Sequence, residues 1–348
     1  MTRSFHNLQC LARGLLLLFL GVAVAPAHGM PVRIGLDFIE TNLASTYFGF
    51  FIPGEGFDNT FVPFDITDPS THAIQDGGLM GYSKAQVQRA VASQVDQIFR
   101  QVDTGDATTT LAISFQLGPV SSSLPGRPLN VILGSHPLLP ALGESVLNSG
   151  FNEVAVPDGE YPIYANLRTL DGLAGVSFTT PESVINNIAG TTAHEVAHLF
   201  GLEHVGASIS DPKPIMASGS AGDPLSTSDR LAARAFSSVI GTQGVTDSSA
   251  SLLVSNLGAV NRSDFDMDGM VTAATDGATF LANLGLTDRL FIEGDADGDG
   301  IVTASKDGAL LLASLGSGVG PLMASREGFT SFVIPEPTTS ILAAIGLN

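Results

Sequence analysis

Three histidines at fixed spacing constrain this chain more than any other feature of its 348 residues. The segment 194–204 is HEVAHLFGLEH, which places His194 and His198 four positions apart. Side chains four apart project from one face of an α-helix, so the segment predicts a helix that presents both imidazoles together. Gly201 can adopt the positive φ that ends a helix and redirects the chain, which brings His204 to the other two.

This three-histidine pattern is typical of a catalytic zinc site. Neutral imidazole is a good zinc ligand, and three protein ligands leave the fourth tetrahedral position to water. Glu195 follows the first ligand and can reach that water as a general base. We therefore predict that His194, His198 and His204 bind Zn²⁺ and that Glu195 is the catalytic residue. The alternative is an amphipathic helix with solvated histidines.

The pattern HExxHxxGxxH resembles that of the metzincin metalloproteases. These proteases also have a Met-turn below the zinc, and the segment PIMA at 214–217, with Met216 12 residues past His204, is similar to it. The resemblance implies structural roles near the zinc for Gly201 and Met216, a sheet above the cleft, and endopeptidase activity. Position 218 is Ser, where some subfamilies place a Tyr ligand. The single cysteine, Cys10, lies in the predicted signal peptide and is removed with it, so a thiolate latency switch is not expected.

The C-terminal third contains an internal duplication. Three aspartates at alternate positions, followed by glycine, occur at 264–269 and recur 31 residues later at 295–300, and the segment LLVSNLG at 252–258 is a third partial copy. An internal repeat of this length indicates paired supersecondary units, here helix, acidic loop, helix, acidic loop, helix. Carboxylates at loop positions 1, 3 and 5 with glycine at 6 suit Ca²⁺. The predicted ligands are Asp264, Asp266, Asp268 and Asp276 in the first loop and Asp295, Asp297, Asp299 and Asp307 in the second.

The repeated loops resemble a dockerin module, which implies Ca²⁺ binding and a cohesin-like partner. The closing aspartates, Asp276 and Asp307, stand one place after the family's twelfth position, which Thr275 and Lys306 occupy here. The sequence leaves the closing ligand open. It also leaves open whether the repeats bind a cohesin-like partner or form a calcium-stiffened spacer, and the other alternative is a solvated acidic linker.

Both ends of the chain carry predicted targeting segments. Arg3 and Arg13 precede an apolar run at 15–25 and the small residues of the segment APA at 25–27, the pattern of a secretory signal peptide. The segment 333–347 resembles a PEP-CTERM sorting tail, although no basic cluster follows it. That resemblance implies an exosortase-like sorting enzyme. We therefore predict a secreted or cell-envelope protein; the alternatives are a buried N-terminal helix and an ordinary disordered C-terminus.

The remaining pattern favours the α+β class, with a metzincin-like domain followed by a small α-helical EF-hand or dockerin-like domain. Helices are predicted at 83–102, with Ser83 as N-cap, at 181–200 and from about 229 to 236, and strands at 109–117, 129–133, 161–167 and 174–178. The predicted organisation is signal peptide 1–29, catalytic domain 30–241, linker 242–250, calcium-binding repeats 251–318, and linker with sorting tail 319–348.

Together these features predict a secreted zinc-dependent endopeptidase that hydrolyses a protein or peptide substrate and binds Ca²⁺ in its repeats. The chain has 15 Lys and Arg against 34 Asp and Glu, a net charge of −19. Nucleic acid is therefore not expected as a partner, because phosphate binding requires a basic surface. The alternative function is that of a non-catalytic, calcium-stabilised cell-surface or matrix protein.

Overall fold

The computed structural model describes residues 31–41, 43–44, 50–52, 56–58, 60–61, 82–120, 127–134, 143–147, 163–166, 180–205, 214–217, 229, 232–236, 249–318 and 332–335. The predicted signal peptide at 1–29 and the predicted strand at 174–178 lie outside the described residues. So do residues 242–248 of the predicted linker and most of the predicted sorting tail.

The described residues form twelve strands and five α-helices. The strands are β1 (Val32–Phe38), β2 (Leu43–Ala44), β3 (Phe50–Ile52), β4 (Gly56–Asp58), β5 (Thr60–Phe61), β6 (Thr109–Leu111), β7 (Ile113–Leu117), β8 (Arg127–Gly134), β9 (Gly143–Leu147), β10 (Ile163–Asn166), β11 (Ala259–Asn261) and β12 (Phe332–Pro335). The helices are α1 (Lys84–Arg100), α2 (Pro181–Leu199), α3 (Ser249–Leu257), α4 (Asp276–Asn283) and α5 (Asp307–Ser314), and a 3₁₀ helix occupies Phe291–Glu293.

A six-stranded sheet forms one layer of the fold, with the strand order β12-β9-β10-β8-β1-β7. The four strands β10, β8, β1 and β7 run parallel, and β9 and β12 complete the sheet through antiparallel pairs. Ile34 and Leu36 of the central strand β1 are fully buried. The fold is therefore mixed α/β with a largely parallel sheet, which is compatible with the predicted α+β class.

Helices α1 and α2 pack against each other and against this sheet. Ser83 caps α1 as predicted, because its hydroxyl accepts a hydrogen bond from the backbone N–H of Gln86 and its own N–H donates to the Gln86 side chain. Thr180 caps α2 in a similar way, with Pro181 in the first turn. The apolar faces of both helices join β1, β7 and β8 in one hydrophobic core.

Two predicted elements differ from the structure. The strand expected at 109–117 divides at Ala112, because β7 pairs with β1 whereas β6 pairs with β11, far along the chain. The helix expected to run to Phe236 is absent from residues 232–236, although Asp229 is helical. Ala235 instead accepts a backbone hydrogen bond from Ile215, so tertiary pairing holds this stretch extended.

The repeated segment has the predicted order of helix, acidic loop, helix, acidic loop, helix. Its two copies exchange backbone hydrogen bonds. The Gly285 N–H donates to the Val302 carbonyl at 2.8 Å, and the Gly316 N–H donates to the Val271 carbonyl at 2.9 Å. Residues of both copies form a second hydrophobic core that includes Phe265, Val271, Phe280, Phe291 and Val302. The two repeats are therefore interlocked halves of one module, here called the repeat module (residues 249–318).

None of the helices in the described part of the chain is long and apolar enough to span a membrane.

Candidate metal centres

The structure brings the three predicted histidines together. His194 and His198 lie on the buried C-terminal half of α2, and His204 follows the turn that ends this helix. Their Nε2 atoms are separated by 3.0 Å between His194 and His198, 3.1 Å between His198 and His204, and 3.2 Å between His194 and His204. Tetrahedral ligation with Zn–N bonds of about 2.0–2.1 Å separates ligand nitrogens by about 3.3 Å, so this triangle fits a zinc ion.

Backbone carbonyls fix the orientation of two of these rings. His194 Nδ1 lies 2.7 Å from the carbonyl oxygen of Ile215, and His198 Nδ1 lies 2.5 Å from that of Leu202. A carbonyl oxygen only accepts hydrogen bonds, so each Nδ1 carries the proton and donates it. In the neutral rings, each Nε2 therefore keeps a lone pair directed into the cluster. Converging lone pairs at this distance repel one another and are stabilised by a shared cation.

The turn after α2 places the third histidine. The N–H of Gly201 donates to the His198 carbonyl and the N–H of Leu202 donates to the Ala197 carbonyl, which closes the end of the helix. Gly201 has φ of 84°, a left-handed conformation that is costly for residues with a Cβ. The turn therefore does two things: it presents the Leu202 carbonyl to His198, and it directs the chain back towards His204.

The predicted Met-turn is a tight turn at 214–217. The Ala217 N–H donates to the Pro214 carbonyl at 3.1 Å, and the Met216 side chain is fully buried. The Met216 carbonyl accepts a hydrogen bond of 2.8 Å from the Val205 N–H, next to His204. The neighbouring Ile215 carbonyl meets His194. This turn therefore supports two of the three histidines through its backbone.

Glu195 is fully buried on α2, beside the first histidine. Another buried charged residue of this region was not predicted. Arg234 is nine-tenths buried or more, and its Nη1 lies 3.5 Å from the same Ile215 carbonyl that meets His194. The carbonyls of Ile215 and Leu202 were also missed, since a backbone acceptor leaves no mark on the sequence. The adjacent Met216 was the only indication of the turn.

The first acidic loop gathers three of its four predicted aspartates. Carboxylate oxygens of Asp264, Asp266 and Asp276 lie within 4.8 Å of one another. The fourth, Asp268, is outside that group, and its Oδ1 accepts a hydrogen bond of 2.8 Å from the Met270 N–H. Asp276 also accepts backbone hydrogen bonds from both sides of the loop, from Phe265 at 2.7 Å and from Thr272 at 2.8 Å. Asp276 therefore closes the loop through these hydrogen bonds and also belongs to the carboxylate cluster.

The second acidic loop gathers a different set. Oxygens of Asp295, Asp297 and Asp299 lie within 4.8 Å of one another, and Asp307 is outside this group. Asp307 still closes the loop as its repeat counterpart does, with backbone hydrogen bonds of 2.8 Å from Ala296 and 2.7 Å from Thr303. The ammonium of Lys306 lies 3.3 Å from Asp297 and contacts Asp299. The positively charged side chain of Lys306 thus lies against this cluster.

The leading aspartate of each loop is buried and has a strongly raised pKa. Burial raises the pKa of Asp264 to about 7, and the charge of Asp276 adds to the effect. Burial likewise raises the pKa of Asp295 to about 8, with the charge of Asp96 as the next cause. Three clustered carboxylates in this environment are stabilised by a bound cation. The described residues thus contain one histidine group and two aspartate groups that are positioned to bind metal ions.

Comparison with models of known protein families gave no match, and comparison with curated proteins gave none either. The assignment of these centres therefore depends on their own geometry and chemistry.

Proposed function

We propose that this chain is a secreted zinc-dependent endopeptidase of metzincin type. The observation that carries the proposal is the convergence of three histidine Nε2 atoms, two of them held in the metal-binding tautomer by the carbonyls of Ile215 and Leu202. The placement of an acidic side chain next to the first histidine, in the same buried helix, supports catalysis over a purely structural role.

In peptide hydrolysis, the three histidines and Glu195 have different proposed roles. Zinc, when bound, supplies a Lewis acid that polarises a carbonyl and makes water more acidic. His194, His198 and His204 would hold the ion, and the described residues add no fourth ligand to this group, which would leave a coordination position for reactants. Glu195 takes a proton on its carboxylate as water attacks the scissile carbonyl, and it then delivers that proton to the leaving amine.

Calcium is the metal that best suits the two acidic loops. Their donors are carboxylate oxygens, which are hard ligands, and the loops carry left-handed glycines at Gly269 and Gly300 where the chain turns sharply. We propose that each loop binds one Ca²⁺. The dockerin-like order of elements supports this, and a cohesin-like partner belongs to the same proposal.

Export is part of the proposed function. Its support comes from the sequence of the terminal segments: residues 1–29 have the pattern of a signal peptide, and residues 333–347 resemble a PEP-CTERM tail, the substrate of an exosortase-like enzyme. The proposed substrate is a protein or peptide outside the cell or on its surface.

The first experiment compares casein hydrolysis by the purified chain and by its Glu195→Ala variant, with Zn²⁺ and Ca²⁺ present. We expect the wild-type activity to disappear with a zinc chelator. We also expect the variant to keep its zinc, measured by atomic emission, and to lose turnover. Full activity in the variant would contradict the role of Glu195. Zinc-loaded, folded wild-type protein without any hydrolysis would favour the alternative, a non-catalytic surface or matrix protein stabilised by calcium.

A further inference from the structure

The repeat module makes a direct contact with the end of the histidine-bearing helix. The side-chain amide of Asn256, in α3, donates a hydrogen bond of 2.8 Å to the carbonyl oxygen of Phe200. Phe200 is the C-cap residue of α2. The last carbonyls of an α-helix lack partners within the helix, so a side-chain donor there stabilises the helix end.

The peptide that Asn256 contacts belongs to the turn that arranges two of the histidines. The Phe200 carbonyl is followed at once by Gly201 and by Leu202, whose own carbonyl meets His198 Nδ1. His204 comes two residues later. A change in the orientation of the Phe200 peptide would therefore alter the orientation of the His198 ring, which the Leu202 carbonyl fixes. It would also alter the course of the chain towards His204. Groups that hold metal ligands from outside in this way commonly change metal affinity when they are removed.

Helix α3 is itself firmly fixed, which makes it a suitable support. Leu253 is fully buried in the same hydrophobic core as Phe200. At the end of the helix, the Gly258 carbonyl accepts a hydrogen bond of 3.1 Å from the Ala112 N–H, and β11 then pairs with β6. Helix α3 is thus held on both sides of Asn256, by Leu253 before it and by Gly258 after it.

Comparison of the repeats shows that this contact is special to Asn256. The sequence Asn-Leu-Gly ends the partial copy at 256–258 and recurs at 283–285. Asn283, the counterpart in α4, donates its amide to the Thr279 carbonyl of its own helix at 3.0 Å. The same residue in the same repeat position therefore caps its own helix in one copy and reaches the end of α2 in the other.

We propose that Asn256 is a positioning residue for the three-histidine site, through which the repeat module holds the metal-binding turn in place. The proposal rests on the proposed function for the identity of the metal, zinc. It assigns to the repeat module a role in zinc retention in addition to the binding of calcium.

The test measures zinc transfer from the full-length, zinc-loaded chain to the chromophoric chelator 4-(2-pyridylazo)resorcinol. We expect Asn256→Ala to release zinc about tenfold faster than the wild type, the lower end of the usual effect for groups that support metal ligands. Asn283→Ala is the matched control, since it removes the equivalent amide from a helix that carries no histidine ligand, and it should release zinc at the wild-type rate. Equal rates for all three proteins, or equal acceleration in both variants, would overturn the proposal.

Two additions keep the result specific. Asn256→Asp preserves the side-chain volume and replaces the donor with a carboxylate, which cannot donate and is repelled by the Phe200 carbonyl, so it breaks the hydrogen bond if Asn256→Ala fails to fold. The visible spectrum of the Co²⁺-substituted chain reports the ligand geometry, and it should change in the Asn256 variants and not in Asn283→Ala. An unchanged spectrum with unchanged release in Asn256→Asp would contradict the positioning role.

The readout separates this proposal from the peptidase proposal. A chain that holds zinc in the three histidines and hydrolyses no protein contradicts the peptidase, and the comparison of release rates still decides the role of Asn256. A chain whose histidines bind no zinc overturns both.

Discussion

Asp96 and Arg100 form a fully buried ion pair where α1 meets the repeat module, with 3.3 Å between Oδ1 and Nε. Both charges have further partners. Asp96 Oδ2 accepts a hydrogen bond of 2.7 Å from the Phe291 N–H, and the Arg100 guanidinium donates to Thr110 and to the Leu111 carbonyl and lies 4.3 Å from the centre of the Phe291 ring. Burial raises the pKa of Asp96, and the Arg100 charge opposes that shift. The pair thus joins α1, β6 and the repeat module.

Removal of one partner should strongly destabilise the protein, because it leaves a buried charge unpaired. We expect Arg100→Ala to lower the free energy of unfolding by about 3–5 kcal/mol, measured by urea denaturation. Arg89→Ala is the control on the same helix. Arg89 pairs with Glu293 of the module at 2.7 Å, but both side chains are partly exposed, so the expected loss is no more than about 1 kcal/mol. Similar losses in the two variants would show that the junction does not depend on the buried pair.

The presence of glycine at position 298, in the second loop, is explained by its close contact with Arg100. Gly298 has φ of 74°, and a Cβ there would lie 2.4 Å from the Cβ of Arg100. Its counterpart in the first loop is Met267, with φ of 57°, so the backbone conformation by itself accepts a side chain. We expect Gly298→Ala to separate the loop from α1 and to cost about 2–4 kcal/mol of stability in urea denaturation.

Gly269→Ala serves as the comparison for this substitution. Gly269 also has a positive φ, of 95°, but nothing lies within 4 Å of a Cβ at that position. It should therefore lose only about 1–2 kcal/mol, the cost of the left-handed backbone. A larger loss for Gly269→Ala than for Gly298→Ala would contradict the packing explanation.

The two acidic loops should differ in calcium affinity because of one residue. Lys306 places its ammonium against Asp297 and Asp299, whereas the equivalent position of the first loop holds Thr275. Bound calcium and the ammonium repel each other, so Lys306→Thr should raise the calcium affinity of the second loop severalfold in isothermal titration calorimetry. The reverse exchange, Thr275→Lys, should lower the affinity of the first loop. No effect of either substitution would indicate that the lysine turns away when calcium binds.

The stability of the metal-depleted chain should fall as pH rises. The pKa of Asp264 is about 7 and that of Asp295 about 8 in the folded chain, against an ordinary value of 3.8. The unfolded chain therefore loses these protons near pH 4, while the folded chain keeps them up to pH 7–8. Because the folded state binds more protons in that interval, the free energy of unfolding decreases from about pH 4 to about pH 8.

This pH dependence can be measured by urea denaturation after dialysis against EDTA, at several values between pH 5 and pH 8.5. The Asp264→Asn and Asp295→Asn double variant should show a flatter profile, since both raised groups are gone. The same slope in the variant and the wild type would assign the pH dependence to other groups.

Local patterns in the sequence were sufficient to predict α1, α2 and the meeting of the three histidines. Ser83 and Thr180 mark the helix starts, and the spacing from His194 to His198 requires only helical geometry. Contacts between distant segments were not predictable in the same way. The division of the expected strand at Ala112 depends on a hydrogen bond to Gly258, and the burial of Arg100 depends on a module that lies far along the chain. Neither has a local signature.

The acidic loops likewise combine a feature that was predictable from the sequence with one that was not. Their acidic pattern identified the clusters, but it could not distinguish Asp276, which joins the first cluster, from Asp307, which stands outside the second. That difference arises from three-dimensional placement, since the two aspartates occupy equivalent positions in the repeat.

The exchange of backbone hydrogen bonds between the repeats has a consequence for how the module can come apart. Val271 of the first copy is paired with Gly316 after the second, and Val302 of the second copy is paired with Gly285 after the first. A proteolytic nick between the copies would cut neither hydrogen bond, yet removal of either half would deprive the other of its partner. Each copy therefore supplies a backbone partner to the other, and we expect the two loops to unfold together and a cation bound in one loop to stabilise the other as well.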